Sequence, residues 1–133
     1  MIRVLHKPEG AATLLEPLVR DHVANSTEYT AYRTYDRAVN ECLWAIEQHD
    51  RYEVLWVEQG LVLAGLSLVD DSDFHYGRIA SVHVHYVPEE LAGMGFRLMR
   101  MALLIAKQDG HRVLAYAKRI DGTRYITRYR SIK

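Results

Sequence analysis

At residues 88–95 the hydrophobic period of this chain switches from two to 3.6. Upstream, Arg78 to Val87 alternates as a strand does, and Pro88 stops it. Downstream, from Gly93, the residues Phe96, Met99, Leu103 and Ala106 fall on one helical stripe that Gly110 closes. The junction Pro88-Glu89-Glu90-Leu91-Ala92-Gly93-Met94-Gly95 therefore runs a strand directly into a helix N-terminus. Free amide groups at such an end, approached closely over glycine, can hold a phosphate or pyrophosphate. Two familiar phosphate loops are excluded. A dinucleotide fingerprint needs Gly or Ala where Leu98 stands and a βαβ unit at the N-terminus, and a P-loop needs Gly-Lys-Ser or Gly-Lys-Thr.

The rest of the chain supplies partners for that unit. Met1 to His6 reads as a strand ended by Lys7-Pro8-Glu9-Gly10. Residues 11–25 and 33–48 carry helical periods, with Pro17 near the start of the first helix and Asn25-Ser26-Thr27 breaking the run. Tyr52 to Glu58 and Leu61 to Val69 are β-rich runs around Gln59-Gly60, the signature of a tight antiparallel hairpin. Asp70 to Asp73 reads as a polar loop before the strand Arg78 to Val87. On that strand simple alternation puts Ala80, Val82 and Val84 on one face and Ser81, His83 and His85 on the other. Arg112 to Lys118 and Tyr125 to Ile132 read as closing strands around an Asp121-Gly122 turn.

With 133 residues, 49% of them hydrophobic, and neither repeats nor low-complexity linkers, residues 1–133 are expected to form a single domain. Its class is α/β, a mixed, mostly antiparallel sheet flanked by helices in the order β-α-α-β-β-β-α-β-β. No window approaches the roughly 20 apolar residues that cross a bilayer. The single Cys42 and the absence of an apolar leader in MIRVLHKPEG point to a reducing cytoplasm. Seventeen basic and seventeen acidic residues balance overall. They do not balance along the chain: residues 97–133 hold ten of the basic residues and only Asp109 and Asp121 of the acidic ones. This third could face an anion or simply pack beside acidic neighbours.

With the element order and the residues Leu61 to Gly65, Val82 to Pro88 and Gly93-Met94-Gly95 in hand, the chain resembles the GNAT superfamily of acyl-CoA-dependent N-acyltransferases. The resemblance runs from Met1 to about Lys118, and its specific part covers some fifteen residues. It implies a coenzyme A thioester bound beside the glycine loop, with Val87, Leu91, Ala92, Gly93, Met94, Gly95, Phe96 and Arg97 cradling it. It also implies acetyl transfer from acetyl-CoA to an amine, on a small molecule or a protein, by direct attack. The family usually places Arg or Gln where this chain has Glu90, and a tyrosine acid on a helix where this chain has a hairpin. The compact length and the ending Arg128-Tyr129-Arg130-Ser131-Ile132 look like small GNAT-like proteins of tailed phages, which would place it in a host cytoplasm.

Direct attack needs a neutral amine, a route for its proton and donors for the oxyanion. His85 is the favoured base because it lies nearest the loop and an imidazole pKa near 6.5 suits the task. His83 and, through water, Glu89 are alternatives. Tyr125 and Tyr129 are candidate acids, with Tyr116 beside them. No metal is expected, since His75, His83, His85 and Asp70 to Asp73 fix no third ligand by spacing. The alternative function is a catalytically decayed GNAT-fold protein, perhaps of phage origin, that binds a host protein. Nucleic acid ranks behind both, on Tyr116, Tyr125 and Tyr129 interleaved with Arg119, Arg124, Arg128 and Arg130. A homodimer is compatible with the sequence, with Leu61 to Val69 as a strand that could lie at an edge.

Overall fold

The structure, a computed structural model, describes residues 1–121 and 124–133, with the side chains of Arg119 and Asp121 outside the description. Strand β1 (Ile2–Lys7) leads to helices α1 (Glu16–Ala24) and α2 (Tyr35–Glu47). Strands β2 (Arg51–Glu58), β3 (Leu61–Asp73) and β4 (Gly77–Tyr86) follow, then helix α3 (Ala92–Gln108) and strands β5 (Val113–Asp121) and β6 (Arg124–Ser131). The element order is the one the periodicities predict. All six strands form one sheet in the order β1-β2-β3-β4-β5-β6. Every neighbouring pair is antiparallel except β4 and β5, which α3 connects as a parallel pair.

Both faces of the sheet are covered, because consecutive residues of its strands serve different cores. Val54, Leu66, Val82 and Leu114 are buried with Leu98, Ala102, Ile105 and Ala106 of α3. Leu55, next to Val54, belongs to the other core with Leu15, Val19, Val39 and Ile46, under α1 and α2. The β2–β3 turn is as predicted: Gln59 and Gly60 both have positive φ, 51° and 76°, which matches the twist of a two-residue hairpin.

Several boundaries differ, each for a physical reason. Helix α1 begins at Glu16 and not near residue 11, since Glu47 and Glu53 hold the amides of Thr13 and Leu14 at 2.8 and 2.9 Å. Thr34 starts α2 by accepting from the Arg37 amide at 3.2 Å. Asp70 to Asp73 is not a loop: it continues β3 to the pair Asp73 and Gly77. Asp73 then caps the tip by accepting from the amides of His75 and Tyr76. The buried stripe of α3 is Leu98, Ala102, Ile105 and Ala106, so the small alanines let the helix approach the sheet, whereas Phe96 is 83% exposed. Strand β3 is internal, and the free edges belong to β1 and β6. The expected Asp121-Gly122 turn lies outside the described residues.

Candidate active site

Strands β4 and β5 pair only where Ala80, Ser81 and Val82 meet Leu114, Ala115 and Tyr116. Beyond that point β4 runs on to Tyr86 bonded to β3 alone, and β5 runs on to Asp121 bonded to β6 alone. The two strands therefore part, and the backbone of His83 to Tyr86 has no ladder partner on the β5 side among the described residues. A gap of this kind offers main-chain donors and acceptors to an extended ligand.

The register of β4 changes at the same place. Leu68 faces Val82 but Ser67 faces Val84, so His83 is the extra residue of a β-bulge. The bulge resets the alternation and corrects the expectation from simple period two. Val82 packs under α3, whereas Val84 and Tyr86 pack with the α1–α2 core. The two histidines are separated as well. The His83 ring meets His49, just past α2, at 4.9 Å in an edge-on contact. His85 turns to the α3 face, where a Cβ added to Gly95 would stand 3.7 Å from its Cε1. Both residues keep exposed surface, and a partial loss of hydration lowers both imidazoles below the ordinary 6.5; the neighbouring His49 adds to this at His83, and Asp71 opposes it. His85 is thus neutral at pH 7 and able to accept a proton.

Helix α3 starts beside His85. A 3-10 turn, Glu89–Leu91, precedes it and already engages two amides, Leu91 to Pro88 and Ala92 to Glu89. By helix geometry the next amides, of Gly93 and Met94, have no intrahelical acceptor, and no side chain caps this end. A Cβ on Gly93 would meet nothing within 4 Å, so a side chain there would enter open space. Within the expected cradle, then, Leu91 and Ala92 have spent their N–H groups in the 3-10 turn, and those of Gly93 and Met94 are the ones that helix geometry leaves over. Val87 packs at the α3 core and close to Gly95, while Phe96 points outward. Arg97 turns back over the Trp56 ring at 5.9 Å. Glu89 and Glu90 are exposed on the 3-10 turn, where they oppose a second anion.

The tyrosines fare differently. The Tyr129 hydroxyl donates to Asp73 at 2.7 Å, and its ring lies 4.8 Å from Tyr76 at the β3–β4 tip. That tip is at the start of β4, roughly 30 Å of strand from Tyr86, so Tyr129 is not brought to the gap. Tyr125 stands opposite Arg119, level with the parted ends, on an exposed strand. Tyr116 is half-buried beside the α3 core. Period alone missed Tyr86: it is buried against His22 of α1 at 5.1 Å, and burial pushes its phenol pKa up. Only the reset after the bulge, invisible in the alternation, turns it to that face. Burial likewise raises the Cys42 thiol, as its place on the apolar stripe of α2 suggested. Among the described residues no group of three His, Cys, Asp or Glu side chains could hold a metal ion. Nor, among them, is any helix long and apolar enough to cross a membrane.

No protein-family model matches the chain, and no curated protein sequence does. Solved structures do. A candidate acetyl transferase from Pyrococcus furiosus superposes with a TM-score of 0.68 at 18% identity, covering 91% of this chain and 85% of its own. An acyl-CoA N-acyltransferase from Pseudomonas aeruginosa gives a TM-score of 0.58 at 18% identity, with 89% and 80% covered. The ribosomal-protein-alanine N-acetyltransferase of Brucella melitensis biovar Abortus 2308 gives 0.57 at 17% identity, with 90% and 82% covered. The parted β4 and β5, joined by a helix that starts at their open end, are accordingly set in a sheet and helices that together have the GNAT fold of the acyl-CoA N-acyltransferases.

Proposed function

We propose that the protein transfers an acetyl group from acetyl-CoA to an amine by direct attack. The reading rests on one observation above all: the gap between β4 and β5 opens toward the uncapped amides of Gly93 and Met94. In this reading the pyrophosphate of the donor lies on those amides, within the cradle of Val87 and residues 91–97, and the thioester arm enters the gap. His85, neutral at pH 7 and beside the first turn of α3, takes the proton of the attacking amine directly or through water. Glu89 is the alternative base through water. His83 faces the other side of the sheet with His49, and Tyr125 is the tyrosine left to protonate the leaving thiolate. The acceptor is an amine on a small molecule or a protein, and the half-buried Cys42 suits a reducing cytoplasm.

Calorimetric titration with acetyl-CoA, against free coenzyme A, tests this reading. Micromolar binding is expected. Gly93→Glu should weaken it at least tenfold without disturbing the fold, since a side chain there meets no atom within 4 Å and its charge opposes the pyrophosphate. Absence of binding by either ligand overturns the acetyltransferase reading. It would favour the second one, a decayed GNAT-fold protein that binds a host protein, which draws on the carboxylates of Glu89 and Glu90 beside the anion site.

A further inference from the structure

We infer that the free edge of β6 is a docking edge for an extended acidic segment of another protein, which adds to the sheet as a seventh strand. Three observations carry this. First, β6 is the last strand of the sheet, and all eight of its residues are exposed, so neither face is covered by a helix. Its outer N–H and C=O groups can accept a strand along their whole length.

Second, its side chains are sorted by face. Arg130 lines a groove of about 820 Å3 beside α3, and period two puts Arg128 and Ile126 on that side with it. Tyr125, Thr127 and Tyr129 lie on the opposite side. A segment of alternating acidic and apolar residues complements both faces at once: carboxylates opposite the arginines, apolar side chains opposite the tyrosines.

Third, the described lining of the groove contributes Arg100, Lys107 and Lys133 to the same side as Arg130, beyond Arg97 of the proposed donor cradle, and includes no acidic residue. The field on that face therefore favours a negative segment. The same charge argues against a second copy as occupant. Two antiparallel copies of β6 centred on Thr127 would set Arg124 opposite Arg130, and like charges directly opposite destabilise a pair. The other free edge, β1, carries Arg3 and Lys7 and is no better a partner.

The experiment is fluorescence anisotropy of a labelled, end-blocked eight-residue peptide of alternating Glu and Val, titrated with the full chain. Its counterparts have Lys for Glu, or Pro at two central positions. The expected result is micromolar binding of the Glu/Val peptide, weakened by salt, at least tenfold weaker for the Pro-interrupted peptide, and absent for Lys/Val. The doubly substituted Arg128→Glu, Arg130→Glu chain, folded by circular dichroism, should lose the Glu/Val peptide and gain Lys/Val. That exchange of preference separates pairing at β6 from general damage. No binding at low salt, or equal affinity for the interrupted peptide, overturns the inference. So does displacement of the peptide by coenzyme A, which would make the groove part of the donor site. Binding of a thymidine oligonucleotide with the same arginine dependence while the peptide fails would also overturn it, in favour of nucleic acid. None of these outcomes depends on acetyltransferase activity.

Discussion

His85 and Gly65 show how much a single position can decide. His85→Gln should lower kcat/KM by about 10²-fold or more if it is the base, while leaving acetyl-CoA affinity by calorimetry unchanged. Because its imidazole pKa lies below 6.5, activity should be full at pH 7 and fall on an acid limb below that value; the limb should vanish in the variant. The same shift has a consequence for stability. An imidazole that resists protonation in the fold but accepts a proton when unfolded makes stability rise with pH through the region below 6.5. His83→Gln should therefore flatten the dependence of Tm on pH below 6.5, and an unchanged slope would remove His83 as a contributor. At Gly65 a Cβ would stand 2.6 Å from Leu15 Cδ2 and 3.0 Å from Leu55 Cδ2. Gly65→Ala should cost about 1–3 kcal/mol in urea unfolding, since the crowding atoms are core side chains already in contact.

The elements were legible where period and turn chemistry agree, and misread where one residue changes the phase. The Gln59-Gly60 hairpin, the α3 helix and the succession of elements all follow from pattern. The bulge at His83 does not, because an extra residue leaves the sequence alternation intact while reversing what each later side chain faces. It split the two histidines and turned Tyr86 inward. Another feature invisible to periodicity starts α1: Glu53, fully buried, accepts from Arg51 Nε at 2.8 Å, from Thr13 Oγ1 at 2.6 Å and from the Leu14 amide at 2.9 Å. The Arg51 guanidinium in turn donates to the carbonyls of Ala11 and His49. Glu53→Ala strands a buried guanidinium and should cost about 3–5 kcal/mol, whereas replacing Arg51 and Glu53 together with apolar residues should cost less. Chemical denaturation of the single and double variants measures both.

Across the whole molecule, stability is unevenly distributed. Strands β2 to β4 lie between two cores, while β6 contributes no buried residue and is held to the sheet by its ladder with β5 and by Tyr129, which reaches Asp73 and Tyr76. Amide hydrogen exchange should be slowest in β2, β3 and β4 and fastest, among the strands, in β6. Protection of β6 equal to that of β3 would show that the ladder and the Tyr129 contacts hold it as firmly as a core does. The same ordering leaves the gap between β4 and β5 bordered on one side by the rigid centre and on the other by β5, whose outer neighbour is the loosest strand.

The sequence by itself determined the succession of elements, the tight hairpin, the helix that follows Pro88 and the GNAT-like character of the whole, because each is written in local period, turn residues and order. Only the tertiary structure decided which face each side chain serves. The parting of β4 from β5, the bulge that separates His83 from His85, the tether of Tyr129 to Asp73 and the exposure of β6 all depend on which strands lie side by side. Such pairings join residues far apart in the chain, and no window of sequence contains both partners.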